Sequence, residues 1–191
     1  RKVVLIYLSL LWCGASTAQT YHYTWNDRTQ QIYNSITQLK IPEARKMLQA
    51  DQKGNEFNLI YPLLYSYADF YQLFLNGSQI DFESIYPNFK HRINQFEKGP
   101  KNNPYFLYCL GLAHLHKGLI AMLFEKNLEG ALDFRKSYLL LKQNKEHFPQ
   151  FTPTDFYLGI LSSAVGTIPK GYQWVANLFG MNGKISEGNA M

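Results

Sequence analysis

The sequence predicts an all-α protein made of antiparallel helix pairs, with about eight helices in all. Apolar residues recur every three or four positions over most of the chain after residue 25, and no stretch alternates apolar and polar residues as a half-buried strand would. Clusters rich in Gly, Pro and Asn separate these periodic stretches. The chain is 46% hydrophobic and 17% charged, a composition that supports a packed core and argues against disorder.

The first two predicted helices form a hairpin. Asn26 and Asp27 can cap the first helix, because their side chains accept hydrogen bonds from free backbone N–H groups. Its buried face is predicted to carry Ile32, Ile36 and Leu39. Pro42 and Glu43 suit the first turn of the second helix, where the N–H is unpaired anyway and the helix end favours an acid. The buried stripe of the second helix is predicted to carry Ala44, Met47 and Leu48.

A long helix is predicted over residues 56–75, ending at the turn signal of residues 76–78. Its broad apolar face is predicted to consist of Ile60, Leu63, Leu64, Tyr67, Tyr71, Phe74 and Leu75. The next helix is predicted to be capped by Asp81 and to continue to Phe96. Its apolar positions are Phe82, Ile85, Phe89, Ile93 and Phe96. A Gly, Pro and Asn cluster over residues 99–104 then predicts a loop between helical hairpins.

Residues 104–125 are apolar on nearly all sides and are predicted to form the central buried helix. His114, His116 and Lys117 in the middle of this segment argue against a membrane span. The partner helix is predicted over residues 127–148, and Pro149 and Pro153 follow it. Its apolar face is predicted to consist of Leu128, Ala131, Leu132, Tyr138, Leu139 and Leu141. Two shorter helices are predicted next, one starting at residue 154 and the other over residues 171–179.

One pattern inside these helices has the spacing of a tetratricopeptide repeat (TPR). Such a repeat packs two antiparallel helices through small residues, with a large residue wedged between them. Gly118, Gly130, Phe134 and Ser137 reproduce the spacing of its small, small, aromatic and small positions, whereas the usual tryptophan-leucine start and closing proline are absent. This spacing fits a TPR-like right-handed α-solenoid, and it fits a generic helical bundle nearly as well.

Residues 1–18 have the three-part layout of a secretory signal peptide. Arg1 and Lys2 precede an apolar run that ends at Trp12, and small residues follow over residues 14–18. The run is shorter than the roughly 20 residues that a spanning helix needs. We therefore expect cleavage after Ala18 and a mature domain over residues 19–191, with a membrane anchor or a buried core segment as the alternatives to a signal.

A cysteine near the end of an export signal raises the question of lipid attachment. Lipoprotein signals have a small residue just before that cysteine, but Trp12 precedes Cys13. We expect an unlipidated protein, with a lipoprotein as the alternative. Cys109 is then the single cysteine of the mature chain, so no intramolecular disulfide can form. It lies in an apolar helical pattern and is expected to pack as a small hydrophobe.

The sequence yields no catalytic, cofactor-binding or metal-ligating residue. His114 and His116 are two positions apart, so on a helix they point in different directions and do not share a metal ion. Acidic side chains stand singly at helix starts or on polar faces, and no P-loop, dinucleotide-binding glycine pattern or nucleophile elbow occurs. These observations predict a protein that is not an enzyme and needs no cofactor.

The net charge of +5 does not indicate nucleic-acid binding. Two of these positive charges belong to Arg1 and Lys2 in the predicted signal, and the remaining lysines and arginines are scattered among acids. A nucleic-acid site needs a coherent basic stripe, which this sequence lacks.

Several blocks resemble exported TPR proteins of Bacteroidetes-type bacteria and, more distantly, the eukaryotic inclusion-body clearance family of helical-repeat proteins. They are NPYFLY at residues 103–108, FPQF at 148–151, GTIPKGYQW at 166–174 and LFGMNGKISEG at 178–188. Asp69 and Phe70 fit as well. The resemblance implies an α-helical repeat fold without established chemistry. Members usually continue with further repeats, so we expect this chain to be truncated at its C-terminus.

The resemblance and the predicted signal together give the expected function. We expect a non-catalytic scaffold, in the periplasm or on the periplasmic face of the outer membrane, that binds a protein or peptide partner. The alternative is an outer-membrane-associated glycan-binding or glycan-processing helical protein. No integral membrane segment is expected after signal cleavage. Aromatic residues of the 172–179 block are expected to pack on the preceding helices or to remain bare, and self-association would follow from bare aromatic surface.

Overall fold

The computed structural model describes residues 20–166, and over this part of the chain the fold is all-α, as predicted. Its helices are α1 (Asp27–Thr37), α2 (Ile41–Gln52), α3 (Ile60–Asn76), α4 (Gln79–Ile85), α5 (Pro87–Phe96), α6 (Pro104–Leu123), α7 (Asn127–His147) and α8 (Pro153–Gly166). Between residues 20 and 166 there is no strand, only an isolated bridge between His22 and Asn58. The predicted signal peptide, the helix over residues 171–179 and the resemblance blocks after Gly166 lie outside the described residues.

The helices pack mainly on elements that are close to them along the chain. α1 contacts α2 and α3. α3 also contacts α2, α5 and α6. α6 contacts α5 and α7, and α7 contacts α8. The larger core cluster takes residues from α1, α2, α3, α5, α6, α7 and α8. A smaller cluster lies where α3, α4, α5 and α6 meet, around Leu73, Phe82, Phe89 and Ile120. Within residues 20–166, α6 is therefore central, as predicted.

The helix predicted from Asp81 to Phe96 is two helices, so that prediction was wrong in two respects. Ser78, not Asp81, provides the N-cap of α4, since its hydroxyl accepts a hydrogen bond from the backbone N–H of Asp81 at 3.2 Å. Pro87 occupies the first turn of α5. Proline has no N–H to donate to the preceding turn, so the chain ends one helix and starts another there.

The predicted apolar faces were partly wrong. Leu39 adopts the left-handed conformation (φ 61°) just after α1 ends, and it is half exposed. Phe74 and Leu75 are exposed at the C-terminal end of α3. On α7 the prediction was wrong for three leucines, because Leu128, Leu132 and Leu139 are exposed, whereas Leu141 is buried as predicted. The buried face of α7 consists of Leu141 together with Gly130, Asp133, Ser137 and Asn144.

The closest helix contact joins α6 to α7 through the two glycines of the TPR-like spacing. A Cβ atom on Gly118 would lie 3.0 Å from the carbonyl oxygen of Gly130. A Cβ atom on Gly130 would lie 2.8 Å from the carbonyl oxygen of Gly118 and 2.5 Å from Cγ of Met122. The two backbones approach so closely that neither position has room for a side chain. The two glycines are therefore in direct contact.

We expect Gly130→Ala to destabilise the protein by about 1–2 kcal/mol, because the new methyl group would overpack the contact with Gly118. Helix propensity alone would favour alanine by up to about 1 kcal/mol, so the two effects have opposite signs. Urea unfolding measures the difference. Lys136→Ala, at an exposed position of the same helix, is the matched control and should change little. Unchanged or increased stability of Gly130→Ala would contradict the close approach.

A buried carboxylate ties three helices together. Asp69 on α3 is almost fully buried and accepts hydrogen bonds from Arg45 on α2 and from Arg92 on α5. Arg45 also donates to Gln72 at 2.8 Å. Arg92 is itself buried, and its guanidinium lies 5.8 Å from the ring centre of Phe89. Asp69, which the family resemblance singled out, thus has a structural role in the described part of the chain.

Loss of the Asp69 charge should therefore cost much more stability than loss of a surface charge. We expect Asp69→Asn to destabilise the protein by about 3–5 kcal/mol, since two guanidinium groups would lose their counter-charge inside the protein. Asp51→Asn is the matched control, because Asp51 pairs with the largely exposed Arg28 at 2.6 Å and should cost less than about 1 kcal/mol. Equal effects of the two substitutions on urea unfolding would refute this.

Candidate ligand-binding pocket

A pocket of about 270 Å³ opens between the segment before α1 and the helices α1, α3, α6 and α8. Five of its lining residues are aromatic: Trp25, Tyr33, Tyr67, Tyr105 and Tyr108. The remaining lining residues are Gln30, Leu63 and Pro153. Tyr67, Tyr108 and Leu63 are buried and form its base, whereas Trp25, Tyr33 and Tyr105 are partly exposed and form its accessible walls. We call this the aromatic pocket.

The aromatic side chains contact each other in a closed circuit. Trp25 meets Tyr33 edge to face, with ring centres 5.6 Å apart, and Tyr33 meets Tyr67 in the same way at 5.3 Å. The hydroxyl groups of Tyr67 and Tyr157 are hydrogen-bonded at 2.5 Å, which links α3 to α8. The circuit then continues from Tyr157 through Tyr108 and Tyr105 and returns to Trp25, with ring centres 6.0–6.4 Å apart. Each ring is thus held by its neighbours.

Trp25 is held at the pocket by the segment that precedes α1. Leu59 donates a backbone hydrogen bond to the carbonyl oxygen of His22 at 2.8 Å. The buried side chain of Asn58 accepts from the backbone N–H of Thr24 at 3.0 Å and donates to its carbonyl oxygen at 2.9 Å. The indole N–H of Trp25 donates to the side chain of Gln30 at 2.8 Å. The wall formed by Trp25 is therefore fixed by the turn before α3.

Tyr105 and Tyr108 belong to the first turns of α6. Asn103 caps this helix by accepting a hydrogen bond from the backbone N–H of Tyr105 at 2.9 Å. Residues three apart lie on one side of a helix, so the rings of Tyr105 and Tyr108 both face the pocket. Phe151, in the loop between α7 and α8, packs edge to face on both rings at 4.9 and 5.3 Å.

The lining of the aromatic pocket is uncharged. None of its residues is acidic or basic. Burial raises the pKa of Tyr67, Tyr108 and Tyr157 well above the ordinary value, so these phenols stay protonated at any physiological pH. The pocket therefore offers aromatic surface and neutral hydroxyl groups, and it has no group that could act as a general acid or base near neutral pH.

A second, shallower cavity of about 430 Å³ adjoins the aromatic pocket. Its lining consists of Pro104 and residues 147–151, which are His147, Phe148, Pro149, Gln150 and Phe151. Phe151 connects the two cavities, because it lines the second one and packs on Tyr105 and Tyr108 of the first.

Ser66 and His116 form the one arrangement in the described chain that invites comparison with a nucleophile and its base. The hydroxyl of Ser66 lies 2.9 Å from Nδ1 of His116. Both residues are buried, and the rings of Tyr67 and Phe70 pack on the imidazole. Burial lowers the pKa of His116 to about 3, with a smaller contribution from Arg92. The pair is enclosed in the core, where no substrate reaches it.

His114 belongs to a different polar network, between α6 and α7. Its Nδ1 lies 2.7 Å from Asp133, which is also bound by Lys117. Lys117 binds Glu129 at 2.6 Å, and Glu129 accepts from the hydroxyl of Tyr86 at 2.9 Å. Burial raises the pKa of Asp133, but hydrogen bonds from His114 and Lys117 outweigh it and the net shift is downward. The network replaces apolar packing at one side of the helix pair.

Neither histidine of α6 belongs to a metal site in the described structure. His114 faces α7 and His116 faces α3. Between residues 20 and 166, no group of three or more His, Cys, Asp or Glu side chains could hold a metal ion. Cys109 is buried, and burial raises the pKa of its thiol well above the ordinary value. An uncharged thiol in an apolar core packs as a small hydrophobe, as expected.

α6 is long and apolar enough to cross a membrane by length and composition alone. However, 72% of the apolar stretch of this helix is buried inside the protein. The central helix of a globular core passes the same test, so this helix is weak evidence for a membrane span.

Comparison with protein-family models, curated proteins and solved structures finds no match. The resemblance to exported TPR proteins therefore stays a prediction. The sequence did not indicate the pocket: Leu63 and Tyr67 were predicted only as part of an apolar face, and Tyr105 and Tyr108 only as part of a resemblance block. An available signal was the high tyrosine content, 14 residues in the chain, but its spacing along the helices also fits core packing.

The buried His116 should make stability depend on pH. Because its pKa is lower in the folded than in the unfolded state, the unfolded chain binds a proton below about pH 6.5 that the folded protein does not. Stability is therefore expected to fall as the pH drops from 7 towards 5, with a contribution approaching about 1.4 kcal/mol per pH unit. Urea unfolding at several pH values measures this.

His116→Gln should flatten this pH dependence, because glutamine does not titrate and can still hydrogen-bond to Ser66. His91→Gln, at an exposed position of α5, is the control and should keep the wild-type dependence. If the dependence persists in His116→Gln, the assignment to His116 is wrong.

Proposed function

We propose that this chain is a non-catalytic TPR-like scaffold that holds a protein or peptide partner in the aromatic pocket. The observation that carries the proposal is the position of the pocket, because α1, α3, α6 and α8, the first helices of successive pairs, all contribute to it. Repeat proteins use the surface formed by equivalent helices to grip their partners. The walls are rigid aromatic rings, which supply contact area at low entropic cost.

Two features support a TPR-like arrangement over a generic bundle. α1, α3 and α6 contact one another in succession, and each later first helix also contacts the second helix of the preceding pair. The glycine contact between α6 and α7 has the spacing of the small positions in a TPR. A right-handed solenoid that carries the pocket on its inner face is therefore part of the proposal.

The location is proposed from the N-terminal sequence. A signal peptide over residues 1–18 would deliver the protein to the periplasm or the periplasmic face of the outer membrane. A partner would then be a protein or peptide of the cell envelope. The uncharged pocket supports a binding role over a catalytic one, because hydrolysis or group transfer would need a titratable or nucleophilic group at the site.

One observation favours the alternative of glycan binding. The partly exposed rings of Trp25 and Tyr105 are nearly parallel, at an interplanar angle of 6°, and phenol hydroxyls lie beside them. Flat aromatic surface next to hydroxyl groups can also receive a sugar ring.

Photo-cross-linking at the pocket separates these functions. We expect a benzoylphenylalanine at position 105 to give a discrete protein adduct in an envelope extract, because Tyr105 forms an accessible wall. The same residue at position 74, which is exposed at the far end of α3, is the matched control and should give no such adduct. Trp25→Ala should abolish the adduct at position 105. Retention on envelope polysaccharide without a protein adduct would support the glycan-binding alternative and refute the proposal.

A further inference from the structure

We infer that the segment over residues 171–179 of this chain packs on an apolar face formed by the outer sides of α7 and α8. The sequence left open whether the aromatic residues of this segment pack on the preceding helices or remain bare, and it indicated no surface for them. The face is distinct from the aromatic pocket, so its role goes beyond the proposed function.

The outer side of α7 carries an exposed row of leucines. Leu128, Leu132 and Leu139 are between 37% and 72% exposed. Their spacing of four and seven residues places them on one side of the helix. Gly130 and Ser137 are buried on the opposite side, where Gly130 contacts α6. In the described part of the chain, α7 packs mainly on α6 and α8, and the leucine row remains uncovered.

α8 continues this apolar surface. Phe156 and Ile160 lie one turn apart on the helix and are 64% and 47% exposed. The buried residues Leu158 and Leu161 of α8 belong to the same core cluster as Leu141 of α7. The exposed sides of the two helices therefore both point away from one core. We call this surface the outer apolar face, which consists of Leu128, Leu132, Leu139, Phe156 and Ile160.

The end of α8 lies beside the leucine row. The side chain of Asn144, near the end of α7, donates to the hydroxyl of Thr154 in the first turn of α8 at 2.8 Å. Residues 148–152 form the short connection, and helices joined by short loops are antiparallel neighbours. α8 therefore runs back along α7 and ends at Gly166, towards the beginning of α7 and Leu132.

Residues 171–179, which lie outside the described part of the chain, have a matching apolar side. Residues 167–170 connect them to the end of α8, and a connection of this length is typical of the turn between two antiparallel helices. The helix that the sequence predicts here would carry large apolar residues on one side, namely Trp174, Val175, Leu178 and Phe179. Its polar residues, Gln173 and Asn177, would lie on the opposite side.

The dimensions of the segment and the face agree. At 1.5 Å per residue, the helix over residues 171–179 would be about 14 Å long, and the row from Leu128 to Leu139 spans about 16 Å. A segment that returns antiparallel to α8 runs alongside α7, which brings Trp174 close to Leu132. Packing the two apolar surfaces on each other removes both from water.

The tether favours the chain's own segment over a second copy as the occupant of the outer apolar face. A short linker holds the segment at an effective concentration of about millimolar next to the face. A second copy must reach the same face from dilute solution and pay the full entropic cost of association. We therefore expect a monomer in which the segment covers the face.

Tryptophan fluorescence of the full chain tests the inference. Trp12→Phe and Trp25→Phe leave Trp174 as the single tryptophan of the three in the chain. In this parent variant we expect a blue-shifted emission and weak quenching by acrylamide, because the indole would be shielded. Leu132→Lys should shift the emission to the red and raise the quenching constant about threefold, since the segment would not pack on an unpaired ammonium group.

Leu39→Lys is the matched control. Leu39 is about as exposed as Leu132, but it follows α1, which packs on α2 and α3. This substitution should leave the emission and the quenching of Trp174 unchanged. Phe156→Lys, on the α8 side of the outer apolar face, should act like Leu132→Lys and replaces it if circular dichroism shows that Leu132→Lys has lost its helices.

Three results would overturn the inference: free quenching of Trp174 in the parent variant, equal effects of the face variants and Leu39→Lys, or shielding of Trp174 that appears only at concentrations where sedimentation shows dimers. The last result would assign the outer apolar face to a second copy of the chain. Photo-cross-linking at position 105 tests the proposed function separately, because the aromatic pocket contains no residue of this face.

Discussion

The arrangement of this protein depends on α6 being covered on nearly every side. Most of its residues are buried, and apolar side chains surround its axis. Because an apolar surface in water is costly, α3, α5 and α7 must all pack on this one helix. Gly118 and Gly130 let the backbones of α6 and α7 approach closely, while the side chains of Met122 and Leu141 fill the space beside Gly130 and Gly111. The remaining helices, α1, α2, α4 and α8, pack on the surfaces of α3, α5 and α7 that α6 leaves uncovered.

The aromatic pocket is a consequence of that placement. With α3 and α6 side by side, the beginnings of α1 and α8 lie over the same end of the pair, and tyrosines from each helix meet there. Asn58 adds a second constraint, because it binds the backbone of Thr24 and so directs Trp25 towards α6. Burial keeps the deep phenols protonated, and the contacts between rings fix their positions. A rigid, neutral site requires little reorganisation when a ligand binds.

The buried polar groups of the described fold join helices to one another. Asp69 joins α2, α3 and α5 through two arginines, Asp133 joins His114 to Lys117, and His116 shares a hydrogen bond with Ser66. Each of these charged or polar side chains has its partners inside the described fold, and buried ionic groups of this kind can specify one packing arrangement over others. The function that we propose therefore belongs to the surface lined by α1, α3, α6 and α8.

The sequence by itself determined the helical class, most helix positions and the central role of residues 104–125, because periodicity, caps and breakers are local properties. The spacing of Gly118 and Gly130 fitted a TPR and a generic bundle nearly equally, and only the packed helices show that the two glycines are in contact. Tertiary structure alone decided which leucines of α7 are buried: periodicity placed four on one face, but the close approach to α6 buries only Leu141, beside Gly130 and Ser137. The sequence could not predict the pocket either. Trp25, Tyr67 and Tyr105 are far apart in the chain, and they form one site only when the segment before α1, α3 and α6 pack together.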